Sequence, residues 1–367
     1  GPHIAVIGEL DGLPVPGHPF SDKDTNAAHA CGHHIQIGNM LATLFALNSE
    51  EILNNLSGSI SFIAVPSEEY VEIEWRNEQR SKGEFEFLGG KQELVKLGIF
   101  DDIDISMMTH ARGNFSGFGY GGTGNGLVAK FIEFHGKSSH AGGDPHLGIN
   151  ALNAANLSMS NIHANRETFY DDHHIRVHPI ITLGGSVVNQ VPEIVTLETF
   201  VRGASLEAIK NANLKVDNCL RAGAMAVGAE VEITTLPGYF PLFHDSNLQE
   251  IYKKNLQNTE NKSSELDHGG GSTDMGDLAH LMPVIHPYVG GATDASAHTA
   301  GFIVEDYDLA VVEAGKMMAF TIIDLLYDGA STGKEIISKH TPRLSKSEYL
   351  KTMREFSNVE IANYNIG

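Results

Sequence analysis

Three short apolar runs in the first third of the chain constrain the fold more than any other feature. They are HIAVIG (3–8), SISFIAVP (59–66) and DISMMTH (104–110). Each has the length of a β-strand, and nearly continuous apolar character is typical of strands covered on both faces. Helices are predicted between them at 35–49, where apolar residues recur at helical spacing, and at 91–98. This alternation predicts an α/β fold whose mainly parallel sheet has helices on both faces.

The middle of the chain has a different pattern. We predict strands at 127–136, 175–185, 193–203 and 230–236, with helices at 148–165 and 205–228. The order β-α-β-β-α-β is that of a ferredoxin-like domain. Because α/β signals resume afterwards, this domain is expected as an insertion into the main one.

The length of 367 residues also favours more than one domain. We divide the chain into a first part of the main domain (1–120), the inserted domain (121–236) and a second part of the main domain (237–367). A polar, helical tail is predicted at 344–357.

Charge and composition exclude several classes of partner. The formal net charge of −21 would repel phosphate backbones and anionic lipid, so we expect neither nucleic acid nor a membrane surface as a partner. No apolar run approaches the length of a membrane span, and the N-terminus lacks the layout of a secretory signal. The two cysteines cannot form a disulfide framework, and a free thiol at Cys31 favours a cytoplasmic protein.

Polar residues follow each of the three predicted strands, namely Glu9 and Asp11, Glu68 and Glu69, and His110. The segment HACGHH (29–34) lies where the first crossover helix begins. Ligands of open α/β sheets bind beyond the carboxyl ends of the strands, so these groups are expected to converge at one edge. Taken singly, an acidic pair or a histidine is more often structural. We interpret the His-rich YDDHHIRVH (170–178) as a polar loop, and His268 stays ambiguous.

The convergent residues have the chemistry of a metal site. One glutamate of an adjacent pair can ligate a cation while its neighbour takes a proton from a bound water, whose pKa the cation lowers. Sulfur, nitrogen and oxygen ligands together favour zinc, and manganese becomes possible if the acids dominate. A thiol bound between two cations would lose its proton, which is consistent with an unpaired Cys31.

Eight motifs occur in the order expected of a known family: GELDGLP, HACGHH, VPSEE, MMTHARGN, HGKSSHAGGDP, VVNQVPEIVTLETFVRG, GGGSTDMGD and ASAH. The chain resembles the dinuclear-metal amidohydrolases related to aminoacylase, glutamate carboxypeptidase and indole-acetyl-amino-acid hydrolase. It is most similar to the branch that contains p-aminobenzoyl-glutamate hydrolase. The resemblance implies a catalytic α/β domain interrupted by a ferredoxin-like lid, through which such proteins commonly form homodimers.

The resemblance also implies site residues, with two divalent ions, zinc or manganese, bound by Cys31, His33, Glu69, His110 and His298. Glu68 matches the general base, and Asp11 matches an acid that orients a ligand. His140 matches a lid histidine that reaches the site of a neighbouring subunit and stabilises the oxyanion. Asn189 and Arg202 match positions tied to substrate binding.

We therefore expect hydrolysis of an amide bond in an N-acyl amino acid, an aroyl-glutamate or a dipeptide, by a metal-bridged hydroxide with Glu68 as base. The alternative is a non-catalytic metal- or ligand-binding protein that kept the fold. Nucleotide binding at GGGSTD is disfavoured, because those glycines follow no strand–turn–helix fingerprint. Whether His34 joins the metal shell stays open, as does whether an N-terminal helical segment, usual in the family, precedes this sequence.

Overall fold

Strands and helices alternate along the chain in a computed structural model that describes residues 1–365. The strands are β1 (His3–Glu9), β2 (Leu13–Pro14), β3 (Ala27–Ala28), β4 (Ser59–Val65), β5 (Ile105–Met107), β6 (His110–Ala111), β7 (Phe118–Gly121), β8 (Gly126–His135), β9 (Arg176–Val177), β10 (Ile180–Leu183), β11 (Ile194–Gly203), β12 (Glu230–Pro237), β13 (Ser263–Leu266), β14 (Val284–Ile285), β15 (Tyr288–Val289) and β16 (Asn358–Asn363). The helices are α1 (His33–Leu47), α2 (Glu50–Leu53), α3 (Ile73–Ser81), α4 (Gly90–Leu97), α5 (Ala151–Ala164), α6 (Leu206–Val227), α7 (Ser246–Asn255), α8 (Met275–Ala279), α9 (Ala314–Leu326), α10 (Ser331–Lys339) and α11 (Lys346–Glu355).

The predicted parallel sheet is confirmed. Its strand order is β14-β5-β1-β4, and β1 pairs in parallel with both β4 and β5. The third apolar run is divided: β5 belongs to this sheet, whereas β6 pairs with β15 in a separate four-stranded sheet. Strands β1, β4 and β5 nevertheless run parallel, so the segments that follow them, which carry the candidate ligands, leave the sheet at the same edge.

Helices cover both faces of the parallel sheet. Ile4 and Val6 of β1 belong to one apolar cluster, shared with buried residues of α1 and α9. Ala5 and Ile7, which alternate with them, belong to another cluster that includes residues of α4 and α8. This alternation explains the continuous apolar run, because every residue of a strand covered on both faces is buried.

The middle of the chain forms an antiparallel sheet of order β10-β11-β8-β12-β16, with β9 beside β11. Helices α5 and α6 pack against each other and against its strands, consistent with the ferredoxin-like expectation. The strand predicted at 175–185 is two strands, since Pro179 lies between them and offers no backbone N–H to a ladder. The boundaries at 120/121 and 236/237 stay predictions.

The longest of the strands that the sequence does not predict is β16, and the shorter ones are β2, β3, β7 and β13. The tail predicted at 344–357 contains helix α11, but β16 follows it and pairs antiparallel with β12. Val359 and Ile361 of β16 are 60% and 61% exposed. The strand is therefore held mainly by backbone pairing, and its sequence has no pattern of buried apolar residues that would predict it. Of the helices within residues 1–365, none has both the length and the apolar character needed to cross a bilayer.

Replacement of Gly223 by Ala tests the packing of α5 against α6. A Cβ at Gly223 would lie 2.6 Å from both the carbonyl oxygen of Ala154 and the backbone nitrogen of Ser158. Because neither backbone atom can rotate away, we expect Gly223→Ala to lower the free energy of unfolding in urea by about 1–3 kcal/mol. The control Ala222→Leu adds more bulk at an exposed position of the same helix and should change it little. Equal effects of the two variants would contradict this packing.

Candidate metal centre

The carboxyl ends of β1 and β4 bring the acidic residues together. Glu9 is the last residue of β1 and pairs with Val65, the last residue of β4. Asp11 lies two residues beyond the first strand, and the Glu68–Glu69 pair lies just beyond the second. The backbone N–H of Glu69 donates a hydrogen bond of 2.7 Å to Asp11 Oδ2, so the two strand ends are linked directly.

The Cys-Gly-His segment turns sharply at its glycine. Gly32 precedes α1 with φ +86°, and a Cβ at this position would lie 2.7 Å from the Cβ of Ala111. Glycine is therefore needed for the backbone angle and for the close approach of β6. The turn lets Cys31 and His33 face one centre with His110, whose Nε2 lies 3.6 Å from Cys31 Sγ.

The turn before the two glutamates is also unusual. Ser67 has φ +62°, a left-handed conformation that is uncommon outside glycine. The hydroxyl of Tyr239 donates a hydrogen bond to the carbonyl oxygen of Glu68, and Gly90 donates its N–H to the carbonyl oxygen of Ser67 at 3.1 Å. These bonds hold the peptide from which both carboxylates project.

The five predicted ligands form two groups, Cys31, His33 and His110 and, on the other side, Cys31, Glu69 and His298. In each group the candidate ligand atoms all lie within 4.8 Å of one another. His298 Nε2 is 3.4 Å from Cys31 Sγ and 3.2 Å from Glu69 Oε1. Because Cys31 is common to both groups, its sulfur lies where one thiolate could contact two cations.

Unsatisfied buried atoms show that this donor set fits cations. His33 Nε2, Asp11 Oδ1 and Glu69 Oε1 are buried without a hydrogen-bond partner. His33 Nδ1 lies 2.9 Å from the carbonyl oxygen of Asp11, which can only accept, so Nδ1 donates there and Nε2 is the ring nitrogen that could bind a cation in place of a proton. A buried polar atom without a partner is costly, and a bound cation would satisfy His33 Nε2 and Glu69 Oε1, whose residues belong to the ligand groups.

The electrostatics of the site also favour cations. Burial, together with the charges of Glu9 and Glu69, raises the pKa of Glu68 well above its usual range. Burial alone would lower the pKa of His33, but the charge of Glu9 and the hydrogen bond with Asp11 raise it. Burial raises the pKa of the Cys31 thiol. All three raised pKa values favour the protonated forms of these groups. The site therefore has a surplus of negative charge, which divalent cations would balance in place of the protons.

The remaining predicted site residues lie outside the ligand groups. Arg202 donates to Ser272 Oγ at 2.8 Å, and the charges of Glu68 and Glu69 act on its guanidinium. His140 is exposed, and its Nδ1 accepts the N–H groups of Gly142 and Gly143. Asn189 is also exposed, and its backbone carbonyl oxygen accepts a hydrogen bond from the backbone N–H of Ala141. Within residues 1–365, no hydrogen bond joins either residue to the ligand groups.

His34 and His268, the two histidines that the sequence left ambiguous, lie outside the ligand groups found within residues 1–365. His34 Nε2 lies 3.3 Å from the hydroxyl of Tyr307, and its ring lies against that of His29. None of the ligand groups found within residues 1–365 includes His34. His268 stacks on His174, from the His-rich loop, with ring centroids 4.0 Å apart.

Two buried residues beside the site had not been expected from the sequence. Lys91 and Asp274 are fully buried, and they form a charged chain with Glu9. Burial would lower the pKa of Lys91, but the charges of Asp274 and Glu9 raise it. A lysine in the first turn of a short helix gives no local sequence signal that it is buried. Asp274 belongs to the motif GGGSTDMGD, but the sequence alone assigns it no role.

Comparisons of the sequence with known proteins identify its family. The sequence model of Peptidase family M20/M25/M40 matches residues 5–322. Xaa-Arg dipeptidase of Mus musculus is 27% identical over 338 residues, which cover 89% of this chain and 71% of that protein. One of the subunits of p-aminobenzoyl-glutamate hydrolase from Escherichia coli (strain K12) is 28% identical over 195 residues, 51% of this chain and 36% of that protein. The predicted family resemblance is confirmed.

Solved structures share the fold. A dinuclear metal binding peptidase of the M20 family from Bacillus subtilis superposes with a TM-score of 0.64 at 19% identity, covering 89% of this chain and 82% of that one. An aminobenzoyl-glutamate utilization protein from Klebsiella pneumoniae gives a TM-score of 0.62 at 17% identity, covering 89% and 72%. At such identities the likeness concerns the fold.

Replacement of Gly32 by Ala tests whether its turn positions the ligands. The control Gly83→Ala has a similar φ of +82° but open space around it, so both variants should lose about 1–2 kcal/mol of stability from the backbone alone. Only Gly32→Ala forces the Cys31–His33 turn away from Ala111, and we expect its affinity for divalent cations to fall about tenfold or more. Metal bound per chain, measured after dialysis against buffered Zn²⁺, distinguishes them. Equal metal binding by the two variants would refute this role for Gly32.

Proposed function

Because the chain belongs to peptidase family M20/M25/M40, we propose that it hydrolyses the amide bond of an N-acyl amino acid, an aroyl-glutamate or a dipeptide. It is a metal-dependent hydrolase, as its named relatives are dipeptidases, amidohydrolases and deacetylases. The observation that carries the proposal is the convergence of Cys31, Glu68 and Glu69 with three histidines at one edge of the parallel sheet.

Two divalent cations would be held by Cys31, His33, Glu69, His110 and His298. The mixed sulfur, nitrogen and oxygen donors favour zinc, with manganese as the second candidate. When bound, such ions lower the pKa of a water and polarise a carbonyl group. A ligating thiol must stay reduced, so a free Cys31 favours a cytoplasmic location.

Glu68 is the general base of the proposed reaction. Its carboxylate lies 3.7 Å from His33 Nε2 and is 9% exposed, so it is next to the five proposed ligands without being one of them. Burial and neighbouring carboxylates raise its pKa, which suits a residue that must take up and release one proton. We propose that Glu68 accepts a proton from the attacking water and passes it to the leaving amine. Asp11 orients His33 through the 2.9 Å contact at Nδ1.

Arg202 is proposed to bind the carboxylate of the amino-acid part of the substrate. Its guanidinium lies over the ring of Phe200, 5.1 Å from the centroid, which keeps it oriented. Arginine matches a planar carboxylate through two parallel hydrogen bonds. Asn189 would add a polar contact, and His140 would stabilise the oxyanion that forms from the substrate carbonyl.

The position of His140 supports a homodimer, in which the inserted domain (121–236) serves as lid and contact surface. His140 and Asn189 lie on an exposed segment, without a hydrogen bond to the ligand groups within residues 1–365. Strand β10 is at the edge of its sheet, and Ile180, Leu183 and Val188 near it are exposed, the last completely. An exposed apolar edge strand is a ready surface for pairing with another chain. We propose that a second copy binds here and that each lid supplies His140 to the other subunit.

Replacement of Glu68 by Gln tests the base. The amide keeps the shape of the side chain but cannot accept the proton, so we expect kcat to fall by about 10²–10⁴-fold with metal content unchanged. Turnover is measured on N-acetyl amino acids, p-aminobenzoyl-glutamate and dipeptides. The control Glu78→Gln removes an exposed carboxylate paired with Lys82 at 2.8 Å and should retain activity. Retained turnover in Glu68→Gln would exclude it as the base, and a wild-type protein that binds metal without turning over any substrate would favour the non-catalytic alternative.

Heterodimers test whether His140 acts in the neighbouring site. His140→Ala and Glu68→Gln homodimers should both be nearly inactive, because every site lacks one residue. A heterodimer purified through two different tags contains one site with both residues, so about half of wild-type activity is expected. Activity no higher than that of the parent proteins, or a monomer by light scattering, would contradict the exchange.

A further inference from the structure

A charged chain of three fully buried side chains runs from the metal centre into the core. Lys91 Nζ lies 2.5 Å from Glu9 Oε1 and 2.5 Å from Asp274 Oδ1. The backbone N–H of Lys91 also donates to Asp274 Oδ2 at 2.9 Å. All three side chains are inaccessible to solvent, so the chain links the ends of β1, α4 and α8 without help from bulk water.

Both oxygens of the Glu9 carboxylate accept hydrogen bonds from buried side chains. Oε1 accepts from Lys91, and Oε2 accepts from Gln36 Nε2 at 2.8 Å. Gln36 also accepts the backbone N–H of Glu9 at 2.8 Å, so its amide holds the residue at two points. The orientation of Glu9 is thus determined by its own strand, by α1 and by α4.

The held carboxylate lies beside a ligand atom. Glu9 Oε2 is 3.1 Å from His33 Nε2, the ring nitrogen that could bind a cation because Nδ1 donates to the Asp11 carbonyl oxygen. Glu9, His33 and Glu68 each offer one atom within 4.8 Å of the others. The negative charge of Glu9 is therefore adjacent to the position that a cation on His33 would occupy.

We propose, on the basis of the proposed function, that Glu9 is a positioning residue of the metal centre. Lys91 and Gln36 hold its carboxylate beside His33 without releasing it to become a ligand. Its fixed charge strengthens the binding of a cation at His33. It thereby also helps to fix the position of that cation relative to Glu68. Stability alone does not account for such a chain, since apolar residues of similar volume commonly replace buried ion pairs without loss.

The inserted domain offers a matched control. Lys130 is also fully buried, and its Nζ lies 2.6 Å from Asp217 Oδ1 and 2.6 Å from Thr235 Oγ1. This pair lies between β8 and α6, and neither partner belongs to a ligand group. Asp217→Asn therefore removes a carboxylate from a buried lysine as Glu9→Gln does, without changing the charge beside a ligand.

The experiment compares metal affinity in the purified full chain. Apo-protein is titrated with Zn²⁺ against a coloured chelator, and with Co²⁺ while its visible absorption is recorded. We expect Glu9→Gln to bind Zn²⁺ about 10–100-fold more weakly than wild type and to show a changed Co²⁺ spectrum. Asp274→Asn, one residue further along the chain of charges, should give a smaller loss in the same direction. Asp217→Asn should keep wild-type affinity and spectrum even if its unfolding midpoint in urea falls.

Unchanged affinity and spectrum in folded Glu9→Gln would overturn this inference, as would equal losses in Glu9→Gln and Asp217→Asn. If Glu9→Gln does not fold, Asp274→Asn decides, and wild-type affinity there would overturn the inference. If the wild-type protein binds two cations and Glu9→Gln binds them equally well, the inference is refuted but the proposed function is not. A wild-type protein that binds no divalent cation refutes the proposed function and the inference with it.

Discussion

Repulsion among buried carboxylates is the constraint on which the rest of the site depends. Glu9, Glu68, Glu69 and Asp274 are each less than a tenth exposed, and Lys91 brings one positive charge to them. Two like charges about 4 Å apart repel by about 4 kcal/mol at the effective dielectric of a protein surface. The site must therefore bind protons or cations. The raised pKa of Glu68 corresponds to the first possibility, the uptake of a proton. Two divalent cations would relieve this repulsion and would leave Glu68, the proposed base, free to exchange a proton.

The part of the site that the sequence could predict is the part that follows from topology. Glu68 and His110 come just after apolar runs, and parallel strands end at one edge, so their convergence needs no knowledge of side-chain packing. The chain Glu9–Lys91–Asp274 could not be predicted in this way. Its members are 82 and 183 residues apart, and a lysine at a helix start is ordinarily solvated.

The fold shows the same division between local and long-range information. Strand β1, which is covered on both faces, has a strong apolar signal, and the predicted bounds 3–8 nearly match His3–Glu9. Strand β16 has exposed apolar residues and depends on pairing with β12, so its existence could be seen only in three dimensions. The interruption between β9 and β10 had a visible cause in Pro179, whose missing N–H the sequence already showed.

Backbone strain at the ligands is small compared with the energy of binding a cation. Ser67 and His298 have φ of +62° and +66°, conformations that cost about 1–3 kcal/mol each outside glycine. Hydrogen bonds from Gly90 to the Ser67 carbonyl and from His298 N–H to the Ala30 carbonyl, at 3.1 and 2.8 Å, hold both turns. Structural zinc sites supply about 10–16 kcal/mol, several times the strain. Both hydrogen bonds join backbone groups of the protein, so they support the two strained turns without any contribution from a cation.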